Sequence, residues 1–288
     1  MELPPEYIPC QDKLPNHIIN SYLNRLKLNN LPIANYTNLC VLMNQHLREI
    51  PFENLDVLAR HEIRTSTDAL HQKLIINKRG GYCFELNRFF SMLLNTTGYK
   101  TRTMLARVHV NGHNRPKLTH QCTLVFISEN WWLADVGFGA SITQPILFAV
   151  DNVSETKHGQ YQLINHPLGM MLQHRQNNDW HDIYSISNQP PIESDLNLGN
   201  YYSYNHPKAT FRNRLLISKL TDKGYITIAD GKLHLPEGTT EKINNRVELE
   251  SILKDSFGIE VKDTGFLNFL FESLPLKEGK KQELSSKH

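Results

Sequence analysis

One cysteine of the chain stands where a glycine turn meets an apolar helix. Residues 79–87 read RGGYCFELN, and apolar side chains then recur at helical spacing, which predicts a buried helix from Cys83 to about Asn95. In its first turn, the free backbone N–H groups and the helix dipole favour a thiolate over a thiol. Gly80 and Gly81 carry no Cβ, so we expect them to let the backbone approach a bound group. The pattern predicts a nucleophile, although a lone cysteine is also typical of plain packing.

The composition is that of an ordinary globular protein and excludes several classes. Among the 288 residues 40% are hydrophobic and 21% are charged, and the net charge of +2 indicates neither nucleic acid nor a membrane as the main partner. No stretch reaches the roughly 18 apolar residues of a membrane span, and Met1–Cys10 does not resemble a signal peptide. Cys10, Cys40, Cys83 and Cys122 are far apart, which argues against a zinc knuckle or a disulfide framework. We therefore expect a cytoplasmic protein.

The first 95 residues show apolar faces at helical spacing. Ile18 to Leu26 form one face, and Leu39 to Ile50 form another that Pro51 ends. A third helix is predicted to begin at Ser66 or Thr67, both of which are suitable N-caps. The cysteine helix is the fourth.

From Gly98 the hydrophobic period becomes two, which predicts strands. The predicted strands cover residues 103–110, 119–127, 131–136, 214–220 and 225–235, the last with a hairpin turn at Asp230-Gly231. Shorter runs extend to about Asp182, so that a small antiparallel sheet or barrel follows the helices. Residues 188–191 (NQPP) read as a linker, and residues 247–257 read as a final helix.

An aspartate stands inside an otherwise apolar strand. A carboxylate at Asp135 is costly to bury unless a partner pairs with it, and His120 on the preceding strand is the natural partner. An imidazole oriented by aspartate and placed beside Cys83 makes a nucleophilic triad, in which the cysteine attacks, the histidine moves the proton and the aspartate fixes the tautomer. The alternative is a core histidine and an aspartate bonded to a turn.

The spacing of this hairpin tests the triad on paper. A tight turn at Glu129-Asn130 predicts that Asp135 opposes Leu124 and shares a face with His120. Leu124 and His120 are four residues apart, however, at about 3.3 Å per residue, so Asp135 would lie too far from the histidine. The triad therefore requires a wider loop or a bulge that shifts the pairing.

Four segments resemble the signature segments of the arylamine N-acetyltransferases. They are residues 50–56 (IPFENLD), 79–87 (RGGYCFELN), 119–120 (TH) and 135–139 (DVGFG). They occur in the family's order and close to its spacing, and the resemblance runs from about Asn16 to Leu220. The short connection after Asp135 is similar to that of bacterial members. Gln121-Cys122 stands where the family usually has apolar residues, and the C-terminal third matches only loosely.

The resemblance implies an α+β fold with a cysteine-protease-like Cys-His-Asp core. The expected parts are a helical bundle over residues 1–97 that carries Cys83, an antiparallel β-barrel over residues 98–190 that carries His120 and Asp135, and an α/β lid over residues 191–288.

The resemblance also implies a ping-pong reaction. Acetyl-CoA, a co-substrate rather than a tightly bound cofactor, would acetylate Cys83, and the acetyl group would pass to the nitrogen of an arylamine, arylhydrazine or N-hydroxyarylamine. An aromatic amine is neutral at pH 7 and can attack a thioester directly, and His120 can take the proton released. Detoxification of aromatic amines is the expected role. Rival interpretations are an amide synthase of the same fold that acts on a carrier-bound acyl chain, and a papain-like cysteine hydrolase.

By match to the family, Phe52, Val108 and Phe138 line the acceptor pocket, while Gly137 and Gly139 lie against the pantetheine or pyrophosphate of CoA. The first two residues are also typical of a core, and the glycines are also typical of a turn.

Other features of the sequence carry smaller expectations. Glu53 and Arg79 are expected to form an ion pair that holds the cysteine loop. His109 and His113 have metal-like spacing, but the strand pattern argues against a helix there, so no metal site is expected. Cys122 shares a strand face with His120 and is interpreted as a small barrel residue, with an oxidative bridge to Cys83 as the sharper alternative. Nothing in the sequence indicates the oligomeric state.

Overall fold

The computed structural model describes residues 13–109 and 116–274, and its N-terminal part is helical. The helices of the described chain are α1 (Asn16–Arg25), α2 (Tyr36–Glu49), α3 (Leu55–Leu58), α4 (Thr67–Leu70), α5 (Cys83–Thr96), α6 (Glu193–Asn205), α7 (Thr210–Asn213), α8 (Arg246–Asp255) and α9 (Thr264–Ser273). The Asn35 side chain caps α2 by accepting from the Asn38 N–H at 2.8 Å, and the helix ends just before Pro51, as predicted.

The chain reaches the cysteine through an unusual turn. The helix predicted at Ser66 or Thr67 begins at Thr67 with Ser66 as its N-cap, and it continues as a π-helical turn over His71–Ile76. A loop then leads into α5, whose predicted start at Cys83 is confirmed. Because α5 packs against strands of the larger of two β-sheets, which is described next, nearly all of its side chains are buried.

Antiparallel strands form a sheet that curls into a nearly closed barrel. Its strands are β2 (Lys100–Val108), β3 (Leu118–Ile127), β4 (Asn130–Ala134), β5 (Ile146–Leu147), β6 (Val153–Thr156), β7 (Gly159–His166), β8 (Gly169–Gln176) and β9 (Asp179–Ile186). They lie in the order β5-β4-β3-β2-β9-β8-β7-β6. The strands predicted over 119–127 and 131–136 are confirmed to within two residues, whereas Val110 of the first predicted strand lies outside the described residues.

The β3–β4 hairpin corrects the predicted register. Its turn is formed by Ser128 and Glu129, which have φ of 48° and 63°, and not by Glu129-Asn130. Both residues therefore adopt the left-handed conformation of a tight two-residue hairpin turn. Thr123 pairs with Ala134, so the residue of β3 opposite Asp135 is Cys122 rather than Leu124. The shift brings Asp135 within reach of His120 without a wider loop.

A bulge lies beside the histidine as well. Ala106 of β2 pairs with His120, but Arg107 pairs with Leu118, so Thr119 is an extra residue in β3. The sequence predicts a wider loop or a bulge that shifts the pairing of Asp135, whereas this bulge lies between β2 and β3.

A second antiparallel sheet lies in the C-terminal part. Its strands are β1 (Phe52–Glu53), β10 (Leu216–Thr221), β11 (Gly224–Ala229), β12 (Lys232–His234) and β13 (Thr240–Lys242), in that order. The predicted hairpin turn at Asp230-Gly231 is confirmed, with positive φ at both residues. β1 comes from the N-terminal segment, and Phe52 pairs with Ser218.

Two helices cover this sheet and form a separate apolar core with it. That core includes Leu249 and Leu253 of α8 and Leu267 and Leu270 of α9. The combination of helices and antiparallel sheets confirms the α+β class, while the division at residues 97 and 190 stays a prediction. Neither α6 nor α9 is predicted from the sequence. Within the described ranges, no helix has the length and apolar character needed to cross a membrane.

Candidate active site

Cys83 is the first residue of α5, and its side chain is buried. Its Sγ donates to the carbonyl oxygen of Thr119, the bulge residue of β3, at 3.6 Å. The predicted junction of glycine turn and helix thus places the thiol against the strand that carries His120.

The glycines before the cysteine have a use other than the predicted one. A Cβ at Gly80 would lie 2.0 Å from the carbonyl oxygen of Pro51, and a Cβ at Gly81 would lie 2.8 Å from Oε2 of Glu85. The prediction that these glycines admit a bound group is wrong, because the protein itself occupies the space. They let the loop pack between β1 and α5.

His120 and Asp135 form a buried pair. Nε2 of His120 lies 2.7 Å from Oδ2 of Asp135, and the Tyr184 hydroxyl donates to the same oxygen at 2.9 Å. With Nε2–H donating to the carboxylate, the other ring nitrogen is free for the thiol. Burial disfavours the charged imidazole, but Asp135 and Cys83 outweigh it and raise the pKa of His120 to about 10. The arrangement therefore favours an imidazolium beside Cys83 at neutral pH.

Asp135 is held by donors on every side. Its Oδ1 accepts from Nδ2 of Asn87 at 2.8 Å and from the backbone N–H of Gly137 at 2.9 Å. Burial raises the pKa of a carboxyl group, but here His120 together with these donors outweighs it and holds the pKa of Asp135 below its ordinary value. The carboxylate stays charged and fixes the orientation of the ring.

Asn87 and Tyr184 are site residues that the sequence analysis misses. Besides Asp135, the Asn87 side chain bonds the backbone of both neighbouring segments: Nδ2 donates to the Gln121 carbonyl at 2.6 Å, and Oδ1 accepts from the Val136 N–H at 3.0 Å. Asn87 follows Cys83 by four residues in an apolar helix, a spacing that places both on one face and could have revealed it. No local signal marks Tyr184, which arrives from β9.

Gly137 packs directly on the cysteine helix. A Cβ there would lie 2.6 Å from Nδ2 of Asn87 and 2.7 Å from Cα of Cys83. Gly139 has φ of +99°, a conformation that L side chains rarely adopt. Both glycines also line the cavity described next, and their predicted contact with CoA stays a prediction.

A cavity of about 710 Å³ opens above the pair. Cys83 and His120 form part of its wall, and Val108 and Phe138 line it. That these two residues contact the acceptor stays a prediction. Phe52 is buried and does not itself line the cavity; its ring lies 5.6 Å from that of Phe211, which does.

Three cationic side chains lie along the cavity, one just before β3 and two in the C-terminal part. Lys117, Lys208 and Arg214 line it, and the lining residues within the described chain include no Asp or Glu. Arg214 also pairs with Asp230 at 2.5 Å. An anionic ligand would therefore meet cations on the way to the thiol.

The smaller expectations have mixed outcomes. The predicted ion pair is confirmed, with Arg79 Nη2 at 2.8 Å from Glu53 Oε1. His113 lies outside the described residues, and among those described no group of three or more His, Cys, Asp or Glu side chains is placed to hold a metal ion. Cys122 is buried in the barrel wall, and it is a free thiol, as Cys83 is.

Comparison with known proteins gives consistent matches. Residues 36–266 match the family model described as N-acetyltransferase. The chain is 34% identical to the arylamine N-acetyltransferase of Escherichia coli over 85% of this chain and 90% of the relative. It is equally similar, with the same coverage, to the Salmonella typhimurium protein named arylamine N-acetyltransferase / N-hydroxyarylamine O-acetyltransferase.

A solved structure matches the fold over most of both chains. The arylamine N-acetyltransferase of Mycobacterium marinum in complex with CoA superposes with a TM-score of 0.83 at 27% identity. The match covers 89% of this chain and 99% of that one.

Proposed function

This chain belongs to the arylamine N-acetyltransferase family, and we propose that it moves an acetyl group from acetyl-CoA to an aromatic amine through a thioester on Cys83. The observation that carries the proposal is that the cavity exposes Cys83 and His120 together, while Asp135 holds the ring from behind. On this geometry we interpret Cys83, His120 and Asp135 as a catalytic triad.

The first half-reaction uses the imidazolium. With the Cys83 proton on His120, the thiolate attacks the acetyl carbonyl and the thioester bond to CoA breaks. His120 then gives its proton to the departing CoA sulfur. The exchange replaces one thioester with another, so it is nearly isoenergetic.

The second half-reaction uses the neutral imidazole that remains. A neutral arylamine or arylhydrazine attacks the acetyl carbonyl, the C–S bond to Cys83 breaks, and His120 takes the proton from the nitrogen. For N-hydroxyarylamines we propose the oxygen as acceptor atom rather than the nitrogen expected from the sequence, since the Salmonella typhimurium relative is named as an O-acetyltransferase for them. The thiolate and imidazolium are restored.

The cavity suggests where each substrate binds. We propose that Lys208, with Lys117 and Arg214, meets the phosphates of CoA, and that the Gly137–Gly139 turn lies along the pantetheine arm. Val108 and Phe138 would then contact the acceptor ring, with Phe52 behind them. The CoA complex of the Mycobacterium marinum relative supports CoA as the donor.

Initial-rate kinetics test this mechanism. Rates are measured over a grid of acetyl-CoA and 4-aminobenzoate or anisidine concentrations, with arylhydrazine and N-hydroxyarylamine as further acceptors. Parallel double-reciprocal lines are expected, because CoA leaves before the acceptor reacts. Converging lines would contradict the proposal, since they indicate that donor and acceptor bind together before any transfer.

A further inference from the structure

A largely buried cluster of charged side chains lies beneath the first turn of α5. The members of this ionic cluster are Glu53, Asp56, Lys73, Arg79 and Glu85. Lys73 is its central link, because its Nζ lies 2.6 Å from Oε1 of Glu85 and 2.8 Å from Oδ2 of Asp56. Arg79 joins the same Asp56 to Glu53. None of the five side chains lines the cavity, so none is placed to touch a substrate there.

Glu85 connects this cluster to the backbone that precedes the nucleophile. Its Oε2 accepts from the N–H of Tyr82 at 3.1 Å, and it fills the space beside Gly81 where a Cβ would stand 2.8 Å away. Its side chain is 2% exposed, and that of Lys73 is 15% exposed. The carboxylate is therefore clamped between the Lys73 ammonium and the last backbone amide before Cys83.

The position of that backbone sets the position of the thiol. Cys83 follows Tyr82 directly, and its Sγ has to remain registered against Thr119 and His120 across the gap between α5 and β3. Displacement of a reacting group by about 1 Å can cost on the order of a hundredfold in rate. We propose that the Lys73–Glu85 ion pair is a positioning pair for the transfer reaction, which holds the first turn of α5 so that Cys83 faces His120.

The charges around Glu85 indicate why Lys73 is needed. Burial raises the pKa of Glu85 to about 7, Lys73 opposes that rise, and the neighbouring carboxylates Asp56 and Glu53 add to it. Without Lys73, Glu85 would have no cationic partner within the cluster, because Arg79 contacts Glu53 and Asp56 instead. The pKa of Glu85 would rise further, so the neutral form would gain at pH 7 and the charge-assisted bond to Tyr82 would weaken.

The test uses a reaction that requires no acyl donor. The inference rests on the proposed acetyl transfer, so two reactions of Cys83 are measured. Peptide mass spectrometry monitors its alkylation by iodoacetamide, which is independent of acetyl transfer, and its acetylation by acetyl-CoA. The variants are Lys73→Met, Glu85→Gln and the double variant, all checked for folding by circular dichroism. The control is Lys27→Met, which removes the Lys27–Glu49 pair, whose lysine is 71% exposed.

The positioning role predicts a specific pattern. In Lys73→Met, both the alkylation rate at pH 7 and the acetylation rate of Cys83 should fall about tenfold or more, while KM for acetyl-CoA changes less than about twofold. Glu85→Gln should show a smaller loss, because its amide oxygen can still accept from Tyr82, and the double variant should be no slower than Lys73→Met. Lys27→Met should match the wild type.

Other outcomes separate the claims. If folded Lys73→Met keeps wild-type alkylation and acetylation rates and loses only thermal stability, the pair is merely structural and the inference is overturned. Should Lys73→Met fail to fold, unchanged alkylation in both Glu85→Gln and the double variant would overturn it equally. If the wild type is never acetylated but alkylation falls in the variants, the acetyl-transfer proposal fails and the positioning of Cys83 stands.

Discussion

Nδ2 of Asn87 lies 2.8 Å from Oδ1 of Asp135, and Asn87 stands one helical turn after Cys83 on the same face of α5. The helix that carries the thiol thus also holds the carboxylate that orients His120. Asn87 thus links the elements that carry Cys83, His120 and Asp135, although its own side chain performs no proton transfer.

Asn87→Ala should therefore disturb the geometry of the site. Loss of the amide leaves Oδ1 of Asp135, the Gln121 carbonyl and the Val136 N–H each short of a partner, at a stability cost of about 1–3 kcal/mol or more. Acetylation of Cys83 should slow by roughly tenfold to a hundredfold. The matched control is Asn95→Ala in the same helix, which removes the 2.6 Å bond from Thr101 and should lower stability with little effect on the acetylation rate. Equal slowing in both variants would contradict the role assigned to Asn87.

The charged state of His120 predicts a pH-dependent stability. Its pKa is raised from 6.5 to about 10 in the folded protein, so its stabilising contribution is complete below about pH 6.5 and is lost as the pH rises through about 10. The difference in free energy of unfolding between the wild type and His120→Gln should therefore be larger at about pH 6 than at about pH 9.5. Urea denaturation at several pH values measures it. A difference that does not change with pH would show that the buried ring is neutral.

Val108 should limit the size of the acceptor. Val108→Phe places a larger side chain in the cavity that Cys83 and His120 also line. A two-ring arylamine should therefore discharge acetyl-Cys83 about tenfold more slowly, whereas the rate with a single-ring amine should fall much less. The control, Val41→Phe, changes a 41% exposed side chain on α2 and should leave both rates unchanged. The same loss with both amines would argue against an acceptor contact at Val108.

Lys208 should act on the phosphates of the donor. Lys208→Glu reverses a charge on the cavity wall and should raise KM for acetyl-CoA by about tenfold, because an anion would then face a carboxylate. The thioester S-acetyl-N-acetylcysteamine has no phosphate, so its rate constant should be unaffected. Lys254→Glu on α8 is the control for net charge. Equal effects on both donors would exclude a phosphate contact.

Much of the site is legible in the sequence because its signals are local. The glycine turn, the apolar spacing after Cys83 and an aspartate inside an apolar strand each indicate their own local structure. In the structure, Cys83 and His120 line the same cavity and His120 bonds Asp135. The register of the β3–β4 hairpin could not be predicted in the same way. A shift of the turn by one residue, to Ser128-Glu129, moves the partner of Asp135 along β3 by two residues, and the choice depends on which residues accept positive φ.

Long-range contacts account for the rest. Tyr184 reaches Asp135 from β9 and Phe211 reaches the cavity from α7, so neither carries a signal near the motifs. The helix α6 has only weak apolar periodicity, which explains why the sequence analysis misses it. The sequence predicts that Gly80 and Gly81 admit a bound group, because it does not distinguish a missing Cβ that makes room for substrate from one that makes room for the protein itself.

Intact-protein mass spectrometry after mixing with acetyl-CoA, without acceptor, tests the central claim most directly. The wild type should gain a single acetyl group, Cys83→Ala should gain none, and 4-aminobenzoate or anisidine should remove the group from the wild type. Folded wild-type protein that gains no acetyl group, or a Cys83→Ala variant that gains the same one, would contradict the thioester mechanism.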